Sequence, residues 1–192
     1  MIKFTALAAL LSIAGGASAA VDAPANPYAG QEALSIKSLS DAEVAGLLSG
    51  KGAGLAKAAE LNGYPGPAHV LELAAPLKLD ANQLEATRQL MAVHRSRASQ
   101  LGAELLAAER ALDALFAQQR ADPASIDRAT QRVGGQQARL RAEHLTTHLT
   151  QTALLSAEQV RRYRELRGYA DADPSVAPAS GNTSPSHSGH RH

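Results

Sequence analysis

The chain has 192 residues, with 19 Lys and Arg against 18 Asp and Glu, and no cysteine. The length gives one domain with tails. The lack of cysteine excludes a disulfide scaffold, a thiolate nucleophile and any Cys-based metal site, and the near-balanced charge gives no support for nucleic-acid binding.

Residues 1–19 read as a signal peptide. Lys3 supplies the positive start, Phe4 to Ala14 the apolar stretch and Ala17-Ser18-Ala19 the small-x-small cleavage pattern. That run is too short to span a bilayer, and no later stretch is apolar enough to do so. The mature protein is therefore expected to be periplasmic, without a membrane span. Loss of Lys3 leaves 18 basic against 18 acidic residues. Export also disfavours ATP-driven chemistry, because that compartment holds no ATP.

Residues 20–66 form an N-terminal linker with short helices. Pro24, Asn26, Pro27 and Gly30 interrupt any periodicity, so Val21 to Ser38 reads as extended. Ser40-Asp41-Ala42-Glu43 is a capping box opening a short helix to about Leu48. Gly50, Gly52 and Gly54 end it. They lack the strand and the Gly-Lys-Ser/Thr sequence of a phosphate loop, and read as a flexible hinge. A second short helix covers Leu55 to Leu61, closed by Asn62-Gly63.

Residues 67–169 form a helical hairpin domain. Pro67 suits the first turn of a third short helix, through Ala75, and Pro76 stops it. Asp80 then caps the longest element, which has no proline from Ala81 to Arg120 and spans about 60 Å. Its seam follows three- and four-residue steps through Leu84, Met91, His94, Ala98, Leu101, Leu105, Ala108, Leu112 and Leu115. Ala121-Asp122-Pro123 turns the chain. The second long helix runs to about Leu155, with Ile126, Val133, Leu140, Leu145 and Leu149 on its buried side and a bend expected at Gly134-Gly135. A last helix starts at Ser156 and closes at Gly168. Residues 170–192 are rich in Ser, Pro, Gly and His, and read as a disordered tail. The fold class is all-α: a long antiparallel helical hairpin with short flanking helices. Aromatics are scarce, so the core is thin and a homodimer is expected to help bury it.

Leu79-Asp80-Ala81-Asn82-Gln83 and Leu155-Ser156-Ala157-Glu158-Gln159 stand a hairpin apart. Each has an N-cap side chain at its second position and a Gln three residues on. Both resemble the LTxxQ motif of the Spy/CpxP family of periplasmic proteins, with Asp80 and Ser156 in place of Thr. The resemblance covers roughly Gly66 to Tyr169. It implies a hooked four-helix hairpin, usually dimeric, without enzyme activity. The family includes folding chaperones, envelope-stress regulators and heavy-metal sensors or zinc-resistance proteins.

The residues themselves favour metal. His144 and His148 are four apart, on one helix face. Met91 and His94 lie on the seam of the other long helix. Folding the hairpin about residue 121 or 122 places His94 opposite about residue 149 and Met91 opposite about 152, so His148 lands beside His94. Three imidazoles and a thioether suit a divalent zinc, nickel, cobalt or copper ion. Each of these histidines, taken singly, also fits a partly buried polar residue bonded to a neighbour.

The metal-sensor branch is similar in carrying a ligand pair on the second long helix, one ligand on the first and histidines upstream. His144 and His148 match the pair in spacing, and Met91 or His94 would match the single ligand. His69 and Glu72 would make the upstream contribution. Where that branch has paired upstream histidines, this chain has only His69. The tail adds His187, His190 and His192, a short tract of the kind that binds metal weakly.

The leading expectation is a metal-responsive protein of heavy-metal sensing, resistance or envelope stress response, with a regulatory membrane protein as a partner. The alternative is an ATP-independent chaperone holding unfolded clients on a concave surface. Every basic residue after Lys78 is Arg, and Arg88, Arg95, Arg132, Arg139 and Arg141 would make client contacts. The bland reading of those arginines is a solvated face.

Overall fold

The computed structural model describes residues 26–169. The expected signal peptide and the histidine tail lie outside the described residues. The chain divides into one unit through Glu32 and a second from Ala33 onward. In the first unit, the Tyr28 amide donates to Asn26 Oδ1 at 3.0 Å and the Gln31 side chain donates to the Pro27 carbonyl at 3.1 Å.

In the second unit the regular elements among the described residues are all helices. Helices α1 (Asp41–Leu48), α2 (Lys57–Glu60) and α3 (Pro67–Glu72) precede the long α4 (Ala81–Ala117) and α5 (Pro123–Ala153), and α6 (Ala157–Leu166) follows. The element order is the all-α hairpin with short flanking helices that the pattern predicts. None of these helices is long and apolar enough to cross a membrane.

The helix starts follow local chemistry. Ser40, Asp80 and Ser156 each accept the amide three residues on, while Glu43, Gln83 and Gln159 reach back to the cap residue's own N–H. These caps satisfy donors that would otherwise have no partner, each worth about 1 kcal/mol. Asp122 does the same for α5, with Pro123 at the first helical position. α4 ends earlier than the lack of proline predicts, because Gln119 takes a left-handed φ of 54° and turns the chain. α5 continues unbroken through Gly134-Gly135; the helical bonds on either side carry it over two weak formers.

Two apolar clusters hold the unit. At the hooked end Val70, Leu77 and Tyr163 are buried, with Leu73, Leu79, Leu155 and Leu166 packed on them. Further along the hairpin Ala98, Leu105 and Leu140 form the second cluster, with Leu47, Leu55, Leu101 and Val133. Between them along α4 lies a buried polar layer: Thr87 and His94 facing His144, Thr147 and Gln151 of α5. Gln151 Nε2 donates to Thr87 Oγ1 at 3.2 Å.

That layer corrects one expectation. The apolar pattern puts Leu149 on the buried side of α5, whereas it is 54% exposed. The seam instead runs through His144, Thr147 and Gln151, so the apolar residue turns outward and the polar ones turn in.

The segment before α3 packs against the hairpin. Ile36 is fully buried and Ser38 donates to Glu109 Oε2 at 3.0 Å, so residues 33–38 are not an extended linker. Gly102 lets α1 meet α4: a Cβ built there would sit 2.3 Å from the Leu47 carbonyl oxygen. Such close approach is one use of a glycine inside a helix.

Candidate metal cleft

A cleft of about 460 Å³ opens where residues 49–69 cross the polar layer. Its lining includes Met91, His94, His144 and His148 from the hairpin, and His69 and Glu60 from the crossing segment. Five sequence-predicted donors thus share one cleft. Glu72 does not join them; it is exposed at the end of α3. His187, His190 and His192 lie outside the described residues. Arg88, Arg132, Arg139 and Arg141 are exposed, and Arg139 pairs with Glu104 at 2.9 Å. Arg95, also exposed, borders the cleft.

The register differs slightly from the sequence estimate. His94 Nδ1 lies 2.9 Å from Thr147 Oγ1, and its ring meets His144 edge to face at 4.6 Å between centroids. His144 therefore stacks on His94, and His148 faces the crossing segment.

Each ring has a distinct setting. His94 Nδ1 is 3.2 Å from Glu143 Oε1. With the Glu143 carboxylate as acceptor, Nδ1 is the donor, which leaves Nε2 on the other side of the ring. His148 Nδ1 lies 2.7 Å from the Tyr64 carbonyl oxygen, which assigns its proton in the same way. A histidine whose Nδ1–H is held by a carboxylate or backbone carbonyl is oriented to ligate through Nε2. His144 is 4% exposed and its Nε2 has no hydrogen-bond partner. Burial, and next the neighbouring His94, push its pKa down to about 4, with Glu143 opposing and His148 adding to the effect. Its ring is neutral in neutral solution.

Gly52, one of the glycines read as a hinge, and Gly66 are places of close approach. A Cβ at Gly52 would stand 3.2 Å from His144 Nδ1, and one at Gly66 would stand 2.7 Å from His148 Nε2. The backbone thus passes against both imidazoles, and a side chain at either position would press on them.

Sequence reasoning missed Glu60. It is 9% exposed, and its Oε1 accepts from the Tyr163 hydroxyl at 2.5 Å and the Tyr169 hydroxyl at 2.8 Å. His69 Nδ1 and Arg167 Nε each lie 3.5 Å from the same oxygen. Its Oε2, 3.7 Å from His148 Nδ1, has no hydrogen-bond partner. No sequence signal marked this residue, since Tyr163 and Tyr169 lie 103 and 109 positions away.

The donor chemistry fits a transition metal: imidazoles, a thioether, and a buried ring nitrogen without a partner. As they stand, no three His, Asp or Glu side chains among the described residues are gathered closely enough to hold an ion. Ligation therefore requires side-chain movement within the cleft, a common accompaniment of binding.

A helical hairpin with an imidazole-lined cleft defines a small all-α protein equipped with metal donors. A family model described as heavy-metal resistance matches residues 45–162, and the chain belongs to that family. The match runs from within α1 to within α6, so it takes in the whole cleft. Comparison with curated proteins and with solved structures finds no match.

Proposed function

We propose that this protein binds a divalent transition ion, zinc, nickel, cobalt or copper, in the cleft. His94, His144 and His148 would hold it through Nε2, with Met91 and His69 at its edge, in the service of heavy-metal sensing or resistance in the cell envelope. The observation that carries the reading is the state of the three rings. Two have Nδ1–H fixed by an acceptor, and the third has a buried nitrogen with no partner. The ion would join α4 to α5 across the polar layer, and the tail histidines would add weak, exchangeable binding. Export through residues 1–19 and a homodimer belong to the same proposal.

The test is titration of metal-free protein with each ion, with the tail histidines replaced by Ala so that only the cleft is read. His144→Ala with His148→Ala should lower affinity by about 100-fold or more, given three or four ligands. Unchanged affinity in that double variant would sink the reading.

The second reading, a chaperone holding unfolded clients, draws support from exposed Val93, Phe116 and Leu149 beside the exposed arginines. Suppression of aggregation of a denatured client by metal-free protein would favour it.

A further inference from the structure

We propose that Glu60 is a ligand of the cleft's cation, with its free Oε2 supplying a carboxylate oxygen next to the His148 imidazole. The inference rests on the metal-binding reading above and extends it. It makes α2, which precedes the hairpin, part of the site, and it gives the site a mixed nitrogen and oxygen donor set.

The argument starts from the unequal treatment of the two carboxylate oxygens. Oε1 accepts two phenol hydroxyls and faces Arg167 and His69. Oε2 is buried without a hydrogen-bond partner, 3.7 Å from His148 Nδ1, and Glu60 itself lines the cleft. Burying a carboxylate oxygen without a partner is costly, and native structures rarely leave one so. A cation in the cleft removes that cost.

The surroundings of Oε1 are those of a ligand held in place. Carboxylates that bind metals are themselves hydrogen-bonded on their outer side, which fixes their orientation. Tyr163, fully buried, and Tyr169 do this at Oε1. Backbone geometry brings Glu60 close, since Gly52 and Gly66 let the segment on either side of α2 lie against His144 and His148. A carboxylate with imidazoles suits zinc, cobalt or nickel in the divalent state better than monovalent copper, which takes soft sulfur ligands.

The experiment uses the full chain with His187, His190 and His192 replaced by Ala. Zinc and cobalt affinities are measured by competition with a chromophoric chelator, and cobalt absorption reports the ligand field. Glu60→Gln keeps the size and one acceptor for the tyrosines. It should weaken both ions by about 10-fold or more and shift the cobalt bands, given what a lost carboxylate contact costs. Metal should also change the tyrosine emission of the parent protein, because Tyr163 and Tyr169 bond the same carboxylate, and that change should vanish in Glu60→Gln. Circular dichroism checks the fold. If Glu60→Gln unfolds, Glu60→Asp retains the charge, shortens the reach and should show the same weakening. Affinity within about 2-fold of the parent, against that expectation, with unchanged cobalt bands would overturn the inference. Should such a variant coexist with lost binding in the His144→Ala, His148→Ala protein, the cleft reading stands and only the role of Glu60 falls. Unchanged binding in both variants overturns both.

Discussion

Gln83 and Gln159 exchange amide hydrogen bonds, 2.9 Å in each direction, between the first turns of α4 and α6. Each oxygen also accepts its own cap residue's N–H, and each NH₂ group donates to a carbonyl, Leu154 for Gln83 and Leu77 for Gln159. The two capping boxes are thus one network joining both ends of the hooked region.

The network predicts coupling. Gln83→Ala and Gln159→Ala should each cost about 1–3 kcal/mol, because partners are left without bonds. The double variant should cost less than the two together, by about 1 kcal/mol. Urea denaturation of the four proteins measures the difference; strict additivity would show that the boxes act independently.

Glycine substitutions should split by position. Gly102→Ala drives a methyl into the Leu47 carbonyl, and α1 must move, at about 1–3 kcal/mol. Gly134→Ala and Gly135→Ala meet no atom within 4 Å and should stabilise α5 by about 0.5–1 kcal/mol each. Melting temperatures of the three variants check both signs.

Gly66→Ala should act on metal rather than on the fold. Its φ of −91° and ψ of 150° are open to alanine, but the added methyl meets the His148 ring at Nε2, the atom proposed to ligate. Zinc affinity should fall by about 10-fold, as for a displaced ligand, with little change in melting temperature. Equal affinity would remove His148 Nε2 from the proposed ligand set.

Acid should weaken the metal-free protein through His144. Its folded pKa is about 4 against 6.5 for the free side chain, so between those values the unfolded chain binds the proton first. Stability from this group is whole above pH 6.5 and is lost as pH falls toward 4, on the order of 3 kcal/mol. His144→Asn should flatten that part of the profile, read from thermal melts in the presence of a chelator.

Local rules made the hairpin legible. Caps at Ser40, Asp80, Asp122 and Ser156 and the turn before Pro123 are decided by neighbours within a few residues. Leu149 was misplaced because a search for apolar periodicity passes over a seam built from His144, Thr147 and Gln151. Glu60 could not be read at all, since its environment is made by Tyr163 and Tyr169 after the chain has returned. Gly52 looks like freedom in the sequence and is a close approach in the fold.

The buried polar layer has a consequence for how the hairpin chooses its alignment. A seam of Leu and Ala alone tolerates sliding by one heptad, because every apolar side chain finds another. Here such a slip, about 10 Å along the axis, would carry His94 to the level of Leu140 and separate Thr87 from Gln151. Each stranded polar group then carries a desolvation penalty of about 1–3 kcal/mol. His94 and Thr147 of the cleft, with Thr87 and Gln151 beyond it, thereby act as an indexing pin that rules out neighbouring alignments of α4 on α5.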